Sequence, residues 1–188
     1  MQTLHVVSLT LLCVLVVNAQ SIGSGKCPQP PVQQNFDPAK YMGRWYGIKK
    51  IPNTFQSGKC SRATYALSDN TVLVRNEQLL PNGTPSFIEG TAKILDPSEP
   101  AKLEVRFFED RGAPYWVLAT DYDNYTLVYS CTETLGLSYA EYAWIMSRTS
   151  TLPKETITEL LDILQSNNIN TALFTETEQR PELCSGMP

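Results

Sequence analysis

What most constrains this chain is a two-residue hydrophobic period that stops and restarts along its length. It is clearest in Lys102-Leu103-Glu104-Val105-Arg106-Phe107, where Leu103, Val105 and Phe107 fall on one face of an extended segment and the charged residues on the other. Comparable segments cover 44–51, 60–67, 71–79, 87–94, 115–120, 125–131 and 139–148, making eight in all. Asp69-Asn70, Pro81-Asn82-Gly83, Asp96-Pro97-Ser98, Arg111-Gly112 and Tyr122-Asp123-Asn124 separate most of them, each short enough for a hairpin. The pattern predicts an all-β domain: an eight-stranded antiparallel up-and-down barrel, whose closure leaves no sheet edge exposed.

Two stretches break the pattern. Residues 52–59, between the first two segments, are longer than a hairpin turn and carry Phe55, which predicts a flexible flap over one end of the barrel. Residues 153–166 switch to a helical period, with Ile157, Leu160, Leu161 and Leu164 at i, i+3, i+4 and i+7, Pro153 near the start and Asn167-Asn168 near the end. This is the stripe of a C-terminal amphipathic helix packed outside the barrel. Its polar face carries Glu155, Glu159 and Asp162 against Lys154, a poor match for anionic lipid.

Residues 1–19 have no Asp, Glu, Lys or Arg, and their apolar run, 6–17, ends in Val17-Asn18-Ala19. The run is shorter than the roughly 18 residues that span a membrane, so 1–19 is expected to be a signal peptide and 20–188 a single secreted domain. With the peptide go Cys13 and His5, the one histidine of the sequence. Catalytic triads, Cys-His dyads and His-ligated metals lose the residue they most depend on, and neither cofactor nor metal is expected. The cysteines left, Cys27, Cys60, Cys131 and Cys184, are even in number, which in a secreted chain predicts two disulfides with the pairing left open.

Charge selects no partner: 15 basic against 19 acidic residues give a net of -4, with no basic face for nucleic acid. Lys49-Lys50, the one adjacent basic pair, is expected to be solvated surface near a loop. Gly23-Ser24-Gly25-Lys26 lacks the spacing of a phosphate loop and is expected to be a flexible leader. Asn82-Gly83-Thr84 and Asn124-Tyr125-Thr126 are glycosylation sequons in predicted hairpins.

Parity assigns the interior. If Trp144 points inward, so do Tyr142 and Met146, and Arg148 comes to the same side at the strand's far end. An inward Trp45 then meets Arg148 at a closed base as a cation–π plug. Asn76 and Gln78 share the inward parity of Val72 and Val74, and inward amides need a polar partner, either water or a ligand head group. An eight-stranded barrel leaves room for one small ligand.

Gly43-Arg44-Trp45, Thr120-Asp121-Tyr122 and Arg148, in that order, resemble the three signature segments of the lipocalin family. Lys26-Cys27-Pro28, Pro30-Pro31-Val32-Gln33, Ala113-Pro114-Tyr115-Trp116 and Leu127-Val128-Tyr129-Ser130-Cys131 extend the resemblance, toward a lipid-carrying branch, along the whole chain after the signal peptide. The resemblance implies bridges Cys27 to Cys131 and Cys60 to Cys184, and a pocket for fatty acids such as arachidonate or sterols such as progesterone. Together with parity it implies that Tyr65, Asn76, Gln78, Phe107, Tyr115, Tyr142 and Trp144 neighbour the ligand in the open half, with Gly43, Trp45 and Arg148 as the structural base. Some relatives carry an extra cysteine two residues past Cys131; Glu133 stands there, so no covalent partner is expected and the chain is expected to be a monomer. Two other functions stay in view: an isomerase resembling prostaglandin D synthase, which needs a cavity-facing thiol, and a module that docks on lipoprotein or membrane surfaces through Phe55 and Phe108.

Overall fold

The computed structural model describes residues 21–69, 71–108 and 111–187, so the predicted signal peptide lies outside the described residues. The described chain opens with a short strand, β1 (Ser21–Ser24), and a one-turn helix, α1 (Pro38–Tyr41). Eight strands follow in up-and-down order: β2 (Gly43–Lys50), β3 (Lys59–Ser68), β4 (Thr71–Leu79), β5 (Pro85–Ile94), β6 (Lys102–Phe108), β7 (Arg111–Thr120), β8 (Tyr125–Thr134) and β9 (Ser138–Ser147). Each pairs antiparallel with the next, and β9 pairs back onto β2, which closes the barrel. A helix, α2 (Lys154–Ser166), a two-residue strand, β10 (Thr175–Glu176), and a final turn, α3 (Pro181–Cys184), complete it.

Alternation along the strands sorts the apolar residues into two cores. Trp45, Ala63, Tyr65, Val72, Val74, Leu103, Val128 and Met146 fill the inside. Ile48, Ile51, Leu118, Leu127, Ala143 and Ile145 face outward, where Leu160 and Leu164 of α2 cover them. The predicted helical stripe therefore packs outside the barrel, with Leu160 and Leu164 buried and Ile157 and Leu161 half-buried beside them. A fully buried leucine contributes about 1.5–3 kcal/mol, so these two anchor the helix together with Ile157, Leu161 and Ile169 of the same cluster.

Gly23-Ser24-Gly25-Lys26, expected to be a flexible leader, begins inside a strand instead, formed by residues 21–24. This strand, β1, pairs with Ser138–Glu141 of β9 just beyond the point where β2 leaves that strand. Backbone ladder bonds and a buried carboxylate hold it: Ser21 Oγ donates to Glu141 Oε1 at 2.8 Å, and Tyr129 donates to Glu141 Oε2 at 3.0 Å. Neither interaction needs the apolar alternation by which strands are recognised in sequence.

The C-terminal segment pairs along β2 through β10 and straps it to β3. Thr177 N donates to Ile48 O (2.8 Å), Cys60 N to Glu178 O (2.8 Å), and Gln179 Nε2 to both Gly47 O (2.9 Å) and Ser61 O (2.7 Å). Disulfides join Cys60 to Cys184 at the end of this strap and Cys27 to Cys131 across the other side. Of the three pairings the cysteine count allows, this is the one the family resemblance implies.

Candidate functional site

The two ends of the barrel differ in kind. At the lower end, where β2 begins, Trp45 is fully buried and donates its indole N–H to Tyr41 O at 2.9 Å. The Arg148 guanidinium stacks on that indole, 3.7 Å from the ring centre. It donates to the carbonyls of Tyr122 (2.8 Å), Arg44 (3.0 Å), Lys40 (3.1 Å) and Tyr41 (3.3 Å), tying together three separate stretches of backbone. Gly43 has φ +95° and sits where a Cβ would lie 3.2 Å from Arg148 Nη1. Only glycine adopts that backbone without strain.

The helix α1 lies across this end and is a feature the sequence reading left out. Asp37 caps it by accepting from Ala39 N at 3.0 Å, and Pro38 opens the first turn. An Asx cap followed by Pro is a known helix-start signal, so Asp37-Pro38 could have revealed it. The helix delivers Tyr41, 3% exposed, to the centre of the floor against Trp45, Phe36 and Tyr65.

Tyr65 and Tyr115, expected in the open half, stand low in the barrel instead. Tyr65 pairs with Gly43 at the foot of β2, and Tyr115 with Leu103 at the foot of β6. Their hydroxyls meet at 2.8 Å, Tyr115 also bonds Tyr41 at 2.9 Å, and Tyr41 reaches Thr126 Oγ1 at 3.2 Å. Burial pushes the Tyr41 hydroxyl up to about 12 and those of Tyr65 and Tyr115 well above their ordinary value, so all three stay neutral donors at physiological pH. Val72, Val74, Leu103 and Val105 complete the walls of a small apolar cavity of about 10 Å³ beside them, room for about one water molecule.

At the upper end the loop between β2 and β3 covers the strand ends. Phe55 sits edge-on to Tyr142 at 5.4 Å between ring centres, and Tyr142 stacks with Trp144 at 6.1 Å. Trp144 Nε1 donates to Gln56 Oε1 at 2.8 Å, so the loop is fastened to β9. Phe107 is half-buried against the inner core, in space left by Gly90, where a Cβ would come within 2.8 Å of its ring.

The two inward amides are used differently. Gln78 Oε1 accepts from Gly58 N at 2.7 Å and its Nε2 donates to Phe55 O at 3.3 Å, so this side chain, expected beside a ligand head group, also holds the loop. The side chain of Asn76, half-buried one alternation below, makes no hydrogen bond among the described residues.

Lys49-Lys50, expected to be solvated, divides. Lys49 reaches outward to Glu176 Oε1 at 3.4 Å. Lys50 is only 8% exposed, stands opposite Trp144, and its Nζ donates to Gln56 O. Burial lowers its pKa to about 8. Neither Lys50 nor Gln56 carries a local sequence signal; both are placed by the path of β2 and its loop.

Comparison with known proteins places this geometry. The family model described as a lipocalin-like domain matches residues 36–179. Apolipoprotein D of Cavia porcellus is 53% identical over 175 residues, covering 91% of this chain and 93% of its own. The Lazarillo protein of Schistocerca americana is 30% identical over 186 residues, covering 95% of this chain and 85% of its own. Among solved structures, insecticyanin of the tobacco hornworm Manduca sexta has a TM-score of 0.77 at 27% identity, covering 88% of this chain and 93% of that one.

Proposed function

The chain belongs to the lipocalin family, and we propose that it is a secreted, non-enzymatic, monomeric carrier that holds a small hydrophobic ligand inside its barrel. The asymmetry of the barrel carries this reading: one end is sealed by Trp45 and Arg148, the other is covered by a loop held by side-chain contacts. Ligand enters beneath the 51–58 loop and lies among Trp144, Tyr142, Phe107 and Asn76, with its far end toward Tyr65 and Tyr115. Fatty acids such as arachidonate and steroids such as progesterone are the candidate classes. Because the lower cavity measures about 10 Å³, entry requires side chains to repack, which a slender chain achieves with less displacement than a fused-ring body.

The bonding of the cysteines supports a carrier over a thiol-dependent isomerase. Cys27, Cys60, Cys131 and Cys184 are all in disulfides, so none offers the thiolate such chemistry needs. Two disulfides also suit an oxidising, extracellular compartment. Asn82 and Asn124 stand exposed in turns, placed to carry glycans there.

The test is mass spectrometry of organic extracts from the folded, secreted protein, with tryptophan-fluorescence titration of arachidonate and progesterone on wild type and Trp144→Ala. Co-purified lipid and saturable quenching that the substitution weakens are the expected results. Absence of both in the wild type would sink the carrier.

A second reading accompanies it. Around the upper end Phe55, Phe108, Leu135 and Leu137 are 60%, 70%, 90% and 76% exposed, apolar area that favours contact with a lipoprotein or membrane surface. Vesicle flotation of wild type against Phe55→Ser tests it, with loss of flotation expected and unchanged flotation removing Phe55 from the contact.

A further inference from the structure

The β2 strand carries a cation to the inside of the barrel. Trp45 and Gly47 point inward, and unbroken alternation from there would send residue 50 outward. The β2–β9 register instead slips between Gly47 and Lys49, with Ile48 as the extra residue. Beyond the slip Lys49 stands opposite outward-facing Ile145, and Lys50 opposite inward-facing Trp144.

The bulge is fixed by the C-terminal strap, which runs along the edge of β2. The carbonyls of Gly47 and Ile48, the residues at the slip, are taken by Gln179 Nε2 and Thr177 N of the C-terminal strap. The lysine that results is buried at 8% exposure, and among the described residues the one hydrogen bond of its ammonium runs to the Gln56 carbonyl. No carboxylate among the described residues lies within ion-pair distance, and no neighbouring charge contributes to its lowered pKa. At about 8 that pKa still leaves the group mostly protonated at neutral pH. An ammonium has three donors, and a buried one with no counter-ion is costly. A ligand carboxylate arriving beside Gln56 would relieve that cost.

We propose that Lys50 is the head-group anchor of the barrel, pairing with the carboxylate of a long-chain monocarboxylic acid whose tail runs past Trp144 and Tyr142 toward the tyrosine floor. The inference rests on the carrier reading and narrows its ligand from lipids in general to acids. Gln78 is less suited to this role, since it carries no charge and the loop already takes its Oε1 and one of its two Nε2 donors. The lower cavity holds about one water, so the tail enters it only as the lining side chains repack, which a flexible chain asks of them least.

The experiment titrates the full secreted protein with hexadecanoic acid and with 1-hexadecanol, followed by tryptophan fluorescence and calorimetry, in wild type, Lys50→Gln and Lys50→Arg. Wild type is expected to bind the acid about tenfold or more tightly than the alcohol, the scale of one charge-assisted hydrogen bond. Lys50→Gln should bring the acid to the level of the alcohol and leave the alcohol unchanged, while Lys50→Arg keeps most of the preference. An unchanged acid-to-alcohol ratio in Lys50→Gln overturns the anchor and leaves the carrier standing. No saturable binding of the acid by wild type also overturns the anchor, while the carrier stands or falls separately on the extract and on the arachidonate and progesterone titrations.

Should Lys50→Gln fail to fold, carboxyl-labelled hexadecanoic acid bound to wild type gives an independent readout by carbon-13 NMR. A carboxyl that titrates well below its value in solvent supports the pair. Titration unchanged from a neutral apolar site overturns it.

Discussion

Arg148 lies over Trp45, its guanidinium carbon 3.7 Å from the ring centre, while its fork binds carbonyls of Lys40, Tyr41, Arg44 and Tyr122. One side chain thus fastens the α1 turn, the foot of β2 and the β7–β8 turn around the tryptophan that seals the barrel. Arg148→Met should cost about 2–4 kcal/mol, combining the stacking and the charged hydrogen bonds. Arg148→Lys should recover less than half of that, because an ammonium keeps the charge but not the planar fork. Urea unfolding of the three proteins checks both, and equal midpoints for Met and wild type would refute the account.

Gly43 faces the same guanidinium with φ +95°. Gly43→Ala forces a Cβ into a backbone region that L-residues avoid and crowds Arg148 Nη1, so a loss of about 1–3 kcal/mol is expected in the same unfolding assay.

The tyrosine floor makes the fold sensitive to alkali. Burial raises the hydroxyl pKa of Tyr41 to about 12, and raises those of Tyr65 and Tyr115 well above the ordinary 10 of an unfolded chain. Groups with raised native pKa contribute stability that is fully present below pH 10 and is lost as pH climbs, since only the unfolded state ionises freely there. The urea midpoint should fall steadily from pH 10 to 12. Phenolate absorbance should show a set of tyrosines that titrate only on unfolding, and replacing Tyr65 and Tyr115 with Phe should flatten the decline.

The strap that fixes the Ile48 bulge is itself tied down by Cys60–Cys184. Paired Cys60→Ser and Cys184→Ser substitutions should cost about 2–5 kcal/mol. They should also red-shift Trp144 emission, since the loosened strap frees β2 and the Gln56 contact above it. A destabilised protein with unchanged emission would separate the bridge from the Lys50 geometry.

The barrel itself was legible because burial on one face of a strand forces a period of two, and the stripe at Ile157, Leu160, Leu161 and Leu164 forces a helix against it. Trp45 over Arg148 followed from parity for the same reason. Tyr65 and Tyr115 were rightly turned inward but set at the wrong height, because parity fixes the face of a residue and not its distance from either end. The β1 strand was missed because backbone bonds and Glu141 hold it without an apolar signal.

By itself the sequence determined which face of each strand is buried, since that choice is repeated in every alternation and no single contact can reverse it. Only the tertiary structure decided where alternation breaks. One extra residue at Ile48, held by Thr177 and Gln179 from more than a hundred residues away, turns Lys50 from solvent into the barrel. A one-residue slip reverses every side chain beyond it, and the groups that impose this one lie on a segment that no local pattern connects to β2.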